Sequence, residues 1–254
     1  MVQSSALERV ISSYFPPGYP AHGKYRKPLK STTNSDSSRM KKITLTQPVL
    51  AGVIEASGIH VNQDDRAFQR LKECGHRYRE RFTDQPIGAI PGIQNARQLF
   101  RALGIEPTKH RPASEALLRR FLKGKTVYSI NNLVDVSNWC ALDFLLPNGV
   151  YDRTKIVGDI ELRQGLPGES YLGLNNLELH LEGRYALADA LGPFGSPKTD
   201  SQRTCVDLTT TEIITIIYAP QDYEPAILQR QCDTFAQRIV EYCGGVIEQS
   251  VIIT

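Results

Sequence analysis

The densest group of polar side chains in the sequence lies between Ser129 and Trp139, in the stretch SINNLVDVSNW. Asn, Asp and Ser side chains compete with the backbone for hydrogen bonds, so they favour helix caps and turns over helix interiors. The same side chains can also hold a polar ligand, orient a water molecule or move a proton. The stretch therefore predicts the start of a helix, a wall that faces a ligand, or both.

Helical spacing divides these residues between two faces of one helix. If Asn132 is the helix cap, an apolar stripe follows, formed by Leu133, Val136, Cys140 and Phe144. Asp135 and Asn138 then share a different face, and Ser137 borders the apolar one. Two interpretations stay open: Asn132 and Asp135 line a binding wall, or they only cap the helix.

The surrounding pattern places helices early and strands late. Three amphipathic helical segments precede the polar stretch, at 64–82, 95–104 and 114–124, and the last two end in glycine. Strand-like segments lie at 42–61, and they dominate after residue 150 together with one helix and a terminal strand. The predicted late strands are KIVGDIELR, LELHL, RYALAD, RTCVDL, EIITIIYA and VIEQSVII. We therefore predict an α+β fold, with amphipathic helices in the first half and a β-rich second half around a cleft.

Composition narrows the class of protein. The 254 residues are 41% hydrophobic and 22% charged with a net charge of +3, which excludes wholesale disorder and does not demand an anionic partner. The five cysteines form no C-x-x-C pair, so they predict reduced, mostly buried thiols and neither a disulfide framework nor a zinc site. No apolar run is long enough to cross a membrane. We expect a cytoplasmic protein without a metal or cofactor.

The N-terminal residues differ from the rest of the chain. Residues 1–42 are rich in Ser, Pro, Lys and Arg and hold only a short apolar patch, so they bury too little surface to offset the entropy of ordering. We predict a disordered or extension tail over 1–42 and a single folded domain over 43–254.

One segment is close to a nucleotide-binding motif. GPFGSPKT, from Gly192 to Thr199, differs from the P-loop pattern only at Pro197, where the motif needs a glycine. Proline has no backbone N–H to offer a phosphate, and no helix is predicted to follow. We therefore predict an ordinary loop here.

The segment NNLVDVSNWCALDFLLPNGVYD resembles a motif of the editing domain, called B-three/B-four, in the phenylalanyl-tRNA synthetase beta subunit. The family motif is N-x-V-D-V-T-N-Y, followed after seven residues by P-x-H-x-F-D. A looser similarity continues through LADALGPFGSPKTDS to TTTEIITIIYAP, so the resemblance covers about 85–220. It implies a freestanding editing-type domain, and in the family this domain hydrolyses tRNA(Phe) wrongly charged with tyrosine.

The resemblance implies specific site residues. Asp135, Ser137 and Asn138 stand where the family has Asp, Thr and Asn, and they would be the catalytic group that positions the ester or a water. The implied substrate cleft is lined by Asn132, Gly149, Tyr151, Asp152, Asp200 and Ser201. The acceptor end of tRNA would be held in this cleft.

Two departures from the family motif bear on catalysis. The family histidine falls at Gly149, which is expected to leave room where the synthetase has an imidazole. The glutamate that reads the tyrosine hydroxyl has no counterpart among Ile216, Ile217 and Tyr218. Without that acceptor, selectivity for a para-hydroxyl loses its physical basis, because a buried hydroxyl needs a partner. Hydrolysis of another aminoacyl ester stays open.

A basic segment points to an RNA partner. KHRPASEALLRRFLKGK holds seven potential cations and one acid, Glu115. Surface Lys and Arg are usually only solvated, but this asymmetry favours contact with an RNA backbone. The predicted RNA-binding residues are Arg111, Arg119, Arg120, Lys123 and Lys125.

Two classes of function follow from the sequence. The first is a tRNA-binding aminoacyl-tRNA deacylase, a hydrolase that serves translation fidelity by acting in trans. The second is a non-catalytic module for RNA or a small molecule that keeps the cleft without the chemistry. Gly149 favours the second class, whereas the group around Ser137 favours the first. The sequence indicates no oligomeric state.

Overall fold

The computed structural model describes residues 41–174 and 176–254. The helices in these residues, numbered in chain order, are α1 (Arg66–Phe82), α2 (Ile93–Ala102), α3 (Ala113–Leu122), α4 (Asn132–Phe144) and α5 (Pro225–Cys243). The predicted tail falls almost wholly at residues 1–40, outside the described part of the chain. The division into a tail and one domain at residue 43 stays a prediction.

Strands in the described residues form three sheets. They are β1 (Ile43–Leu45), β2 (Val49–Ser57), β3 (Asn148–Asp152), β4 (Ile160–Gln164), β5 (Ser170–Leu172), β6 (Glu178–His180), β7 (Tyr185–Asp189), β8 (Gly192–Gly195), β9 (Glu212–Pro220) and β10 (Val246–Ile253). A central antiparallel sheet has the order β10-β2-β9-β3, a second sheet has the order β1-β4-β7-β8, and β5 pairs with β6. In the described residues, α1 to α4 lie together between β2 and β3 and most strands follow them, without regular alternation, so the predicted α+β class is confirmed.

The central sheet is covered on both faces. On one face, Ile54 of β2 and Ile217 of β9 pack in a core that also contains residues of α4 and α5. On the other face, Val53 and Ile214 pack with residues of the second sheet, among them Phe194, and with residues of α2. A strand buried on both sides needs apolar residues at every position. This explains why EIITIIYAP lacks the alternation of a half-exposed strand.

The helices before β3 form a separate apolar layer. Leu71 of α1, Ile93 of α2, Leu118 of α3 and Leu142 of α4 belong to one buried cluster. Gly104 and Gly124 follow α2 and α3 with positive φ angles of 68° and 62°, a conformation that suits glycine because it lacks a Cβ atom. The helix ends predicted at these glycines are confirmed.

Two predictions about the late segments are wrong. RTCVDL is not a strand but a series of turns, in which the Arg203 guanidinium binds the Asp189 carboxylate at 2.9 Å. The start of GPFGSPKT is not a loop, because Gly192–Gly195 forms β8 and pairs with β7. The sequence pattern around each segment does not predict these features. The ion pair of Arg203 with Asp189 decides the first, and pairing with β7 decides the second.

The state of the cysteines and the polarity of the helices were also predicted from composition. All five cysteines are free thiols, and every one except Cys205 is buried, which confirms the predicted reduced and mostly buried thiols. In the part of the chain that the structure describes, no helix is long and apolar enough to cross a membrane.

Candidate functional site

The polar residues at the start of α4 organise the helix and the loops around it. The cap is Asn131, one residue before the predicted cap, and its side chain accepts a hydrogen bond of 2.8 Å from the Val134 backbone N–H. Asn132 is 1% exposed, and its Nδ2 donates to the carbonyls of His60 and Tyr242 at 2.8 and 3.0 Å. Its Oδ1 accepts from the Asn62 backbone N–H at 2.8 Å. The Asn132 amide therefore fastens α4 to two other segments.

Asp135 is enclosed by the loop before α4. Its carboxylate accepts hydrogen bonds from the Ser129 hydroxyl at 2.6 Å and from the Ile130 backbone N–H at 3.2 Å. The side chain is 0% exposed, and this burial raises the pKa of Asp135 to about 6. Both partners belong to the segment that leads into α4. These contacts correspond to the interpretation in which Asp135 stabilises the N-terminal end of the helix.

Ser137 and Asn138 are the half-buried members of the predicted catalytic group. The Ser137 hydroxyl donates to Asn148 Oδ1 at 2.8 Å, and Asn148 Nδ2 donates to the Ser137 carbonyl at 3.2 Å. This reciprocal pair joins α4 to the first residue of β3. The Ser137 hydroxyl proton therefore has a protein acceptor, whereas its oxygen can still accept a hydrogen bond from a substrate or water.

The expected room at Gly149 is filled by Tyr151. Both residues lie on β3, two positions apart, so they face the same side of the strand. A Cβ atom built on Gly149 would clash with the Tyr151 hydroxyl, and one built on Gly195 would lie 2.5 Å from the same oxygen. The tyrosine ring is thus held between two glycines. The expectation that Gly149 leaves space for an imidazole is wrong.

Tyr151 belongs to a cluster that sequence reasoning identified only in part. Its hydroxyl donates to Asp200 Oδ1 at 2.6 Å and lies 3.3 Å from the Tyr218 hydroxyl. The Phe194 ring meets the Tyr151 ring edge-on at 5.1 Å. Burial is the main cause that raises the pKa of Asp200 to about 7, although the residue remains partly accessible. We call Tyr151, Asp200 and Tyr218 the tyrosine–aspartate cluster.

Tyr218 and the neighbouring Tyr171 were not predicted as site residues. The Tyr171 hydroxyl donates to the Thr199 carbonyl at 2.7 Å, which ties β5 to the loop that carries Asp200. A signal for Tyr218 was present, because a tyrosine within an otherwise apolar buried strand needs a partner for its hydroxyl. The sequence does not reveal that the partner is Tyr151.

Asp152 and Ser201 have structural partners. The Asp152 carboxylate accepts from the hydroxyls of Thr154 and Thr210 at 2.6 and 2.8 Å. The Ser201 hydroxyl lies 3.3 Å from the Thr204 hydroxyl, and both residues are buried. These contacts fix the turns on either side of the tyrosine–aspartate cluster.

The predicted site residues thus include two groups that differ in their contacts. Gly149, Tyr151 and Asp200 meet around one hydroxyl, whereas Asn132 and Asp135 hold the start of α4 to neighbouring segments. Two cavities lie elsewhere: one of about 190 Å³ between α1 and the end of α3, and one of about 250 Å³ along β1 and β4. A cleft bounded by all of the predicted residues stays a prediction.

The predicted RNA-binding residues also differ in their contacts. Arg119 binds the buried Glu115 carboxylate at 2.9 Å, and the Arg120 guanidinium donates to the Thr126 carbonyl at 2.9 Å. Arg111, Lys123 and Lys125 are exposed. The exposed three are better placed for phosphate contact, because they need not leave an internal partner.

A basic surface that was not predicted lies near the loop that carries Asp200. The positive charge of Lys198 is the main cause that lowers the pKa of His110, and burial and the charges of Arg184 and Lys109 add to it. Burial and Arg184 lower the pKa of Lys198 in turn. Three chain segments therefore bring like charges together. We call Lys109, His110, Arg184 and Lys198 the basic surface.

Two features of these sites have side chains suited to acid–base chemistry or to binding an anion. Among the described residues, no group of three or more His, Cys, Asp or Glu side chains could hold a metal ion. Asp200 can accept or donate a proton near neutral pH, and the basic surface can attract an anion.

Comparison with known proteins gives one family match and several relatives. The family model of the B3/4 domain matches residues 95–244, a range that contains every predicted site residue. The chain is similar to the phenylalanine--tRNA ligase beta subunit of Paramagnetospirillum magneticum, with 26% identity over 187 residues, covering 64% of this chain and 23% of that protein. For the same subunit of Brucella abortus, identity is 33% over 90 residues, covering 35% and 11%. The chain spans less than a quarter of the length of these relatives.

Among solved structures, the chain is similar to an N-terminal fragment of the phenylalanyl-tRNA synthetase beta-subunit from Pyrococcus horikoshii. The TM-score is 0.40 at 13% sequence identity, and the match covers 85% of this chain and 56% of that chain.

Proposed function

Because the chain belongs to the B3/4 domain family, we propose that it binds tRNA through the basic surface beside the tyrosine–aspartate cluster. The relatives that share this domain are named as subunits of a tRNA ligase, and they supply the class of partner. The proposal does not require that the chain hydrolyse the tRNA it binds.

The observation that carries the proposal is that three segments of the chain bring Lys109, Arg184 and Lys198 near His110, and that all four side chains are exposed. Cations that repel one another destabilise a fold slightly, and a polyanion relieves that repulsion. Lys198 is two residues from Asp200 in the same loop. An RNA strand bound at the basic surface would therefore pass close to the tyrosine–aspartate cluster.

The salt dependence of tRNA binding tests this proposal. We expect affinity to fall steeply as salt rises, because each neutralised phosphate releases counterions. Lys198→Ala and Arg184→Ala should each flatten the slope of log K against log[salt] by about one unit. Arg230→Ala, an exposed arginine on α5, serves as the matched control and should leave the slope unchanged. Affinity that is independent of salt, or absent at low salt, would contradict the proposal.

A second function, hydrolysis of an aminoacyl ester, is favoured by Asp200. A carboxyl group with a pKa of about 7 suits general acid–base catalysis, and Asp200 remains partly accessible. Asp135 is fully buried and bonded to its own loop, so within this candidate function Asp200 handles the proton. Ser137 and Asn138 keep the positioning role that the family motif implies.

A deacylation screen over many aminoacyl-tRNAs tests the second function. If one ester is hydrolysed, Asp200→Asn should slow single-turnover cleavage about a hundredfold with tRNA affinity unchanged, since general acid–base groups contribute roughly that factor. Asp84→Asn, at an exposed turn, is the control. A wild-type protein that hydrolyses none of them would exclude hydrolysis and leave tRNA binding as the function.

A further inference from the structure

The cavity between α1 and the end of α3 has a strongly basic lining. Its basic side chains are Lys72, His76, Arg79 and Lys125, and its volume is about 190 Å³. This is far more than the roughly 15 Å³ that a single water needs. Among the described residues that line it, none is a carboxylate, and Phe121 and Val127 supply apolar surface. We call it the α1–α3 cavity.

Helix geometry explains why three of the four basic side chains meet. Lys72, His76 and Arg79 are spaced four and three residues apart, so they lie on one face of α1. Lys125 reaches the same space from the turn after α3, where its backbone N–H donates to the Arg120 carbonyl at 2.8 Å. One face of α1 and the turn after α3, which belongs to the predicted RNA-binding segment, thus share one cavity.

Close packing holds the two walls of the α1–α3 cavity in place. A Cβ atom built on Gly75 of α1 would overlap the Phe121 ring, so the ring of α3 rests directly on the α1 backbone. The His76 ring meets the Phe121 ring edge-on at 6.4 Å. A Cβ atom on Gly124 would lie 3.1 Å from Arg79 Nη1, so the glycine also makes room for the guanidinium. The cavity therefore exists before any ligand binds.

The charge balance of the α1–α3 cavity favours an anion. Within the described residues, Lys72, Arg79 and Lys125 form no ion pair with a carboxylate. The C-terminal end of α3 contributes about half a negative charge, which three full positive charges outweigh. A guanidinium can bind two oxygens of one phosphate, and the lysines add single charge-assisted hydrogen bonds.

We propose that the α1–α3 cavity binds a phosphate of an RNA strand, with Lys72, Arg79 and Lys125 as its donors. The inference rests on the proposed tRNA binding and adds a second contact point, on helices that the basic surface does not include.

Single substitutions in the cavity test the inference against tRNA. Lys72→Ala, Arg79→Ala and Lys125→Ala should each weaken tRNA binding and flatten the salt slope by about one unit. Lys125→Glu should weaken binding further, since it places a negative charge beside the phosphate. All three positions are at least partly exposed, so the variants should keep the wild-type melting temperature, and Arg230→Ala again serves as control.

The outcomes separate this inference from the proposed function. If tRNA binds and responds to Lys198→Ala but to none of the cavity variants, the inference is overturned and the proposed function stands. If tRNA does not bind, cytidine monophosphate is titrated while the His76 imidazole resonance is followed by NMR. A saturable shift that Lys125→Glu abolishes then supports a phosphate site for a free nucleotide. No response to tRNA or to the nucleotide rejects the site.

Discussion

The polar cluster at the start of α4 and the tyrosine–aspartate cluster differ in what their carboxyl groups bind. Asp135 accepts hydrogen bonds from two residues of the loop before its own helix, whereas Asp200 accepts one from the hydroxyl of Tyr151, which is distant in the chain. Burial raises both pKa values, to about 6 and about 7. The dense polar sequence in the first region thus forms a helix start. The carboxyl group among tyrosines in the second region is the stronger candidate for chemistry.

The two clusters also differ in how a substitution within them would affect the protein. At the start of α4, Asn132 binds backbone groups of His60, Asn62 and Tyr242, so its removal leaves one buried and two partly buried backbone groups without this partner. In the tyrosine–aspartate cluster, Tyr151 fills the space between two glycines, so changes there alter packing first. For the start of α4, the effect can be measured as a loss of unfolding free energy. For the tyrosine–aspartate cluster, it can also be measured as the pH dependence of that free energy.

The largest effect is expected from Asn132→Ala. It leaves the Tyr242 carbonyl unpaired in a buried place and the His60 carbonyl and Asn62 N–H without their partner in a partly buried one, which should cost about 3 kcal/mol of unfolding free energy. Urea denaturation measures it. Asn138→Ala, on the same helix but half-buried, is the control and should cost about 1 kcal/mol or less. Equal losses in both variants would mean that Asn132 is not the fastening residue.

A smaller loss is expected from Gly149→Ala. The added Cβ atom meets the Tyr151 hydroxyl, and overpacking of this kind costs about 2 kcal/mol of unfolding free energy. Gly149→His should lose at least as much and should not restore an imidazole to the site. Gly88→Ala is the control, because a Cβ atom there meets only the ends of the flexible Arg97 and Gln94 side chains, at 3.2 and 3.7 Å. A Gly149→His protein as stable as wild type would show that Tyr151 moves aside.

An effect similar in size to that of Gly149→Ala is expected in the pH dependence of stability at Asp200. Burial raises its pKa from 3.8 to about 7, so the folded protein binds this proton more tightly than the unfolded chain does. The resulting stabilisation is complete below about pH 4 and is lost as pH rises through about 7. A tenfold difference in proton affinity corresponds to about 1.4 kcal/mol, and with allowance for solvent access we expect about 2 kcal/mol.

Asp200→Asn keeps an acceptor for the Tyr151 hydroxyl and should remove this component. Between pH 4 and pH 8, the variant should therefore lose about 2 kcal/mol less stability than wild type. Asp84→Asn controls for the loss of a carboxylate at an exposed turn. Parallel pH curves for wild type and Asp200→Asn would show that Asp200 is not the group whose proton is held in the fold.

The features that the sequence predicts correctly are those that depend on residues close together in the chain. Apolar spacing defined the helices that contain Leu71 and Leu118, and glycine chemistry located helix ends at Gly104 and Gly124. The motif around Asp135 and Ser137 identified the family, which the match over residues 95–244 confirms. The α+β class followed from the order of those segments along the chain.

Tertiary contacts decided what the polar residues do. From the sequence, Asn132 could be a helix cap or a residue that lines a binding site. Its hydrogen bonds to His60 and Tyr242 show that it fastens α4 to other segments. From the sequence, Gly149 is expected to leave space for another side chain. In the structure the Tyr151 side chain fills that space. Hydrogen-bond partners and buried volume depend on residues distant in the chain, so helical and strand periodicity cannot encode them.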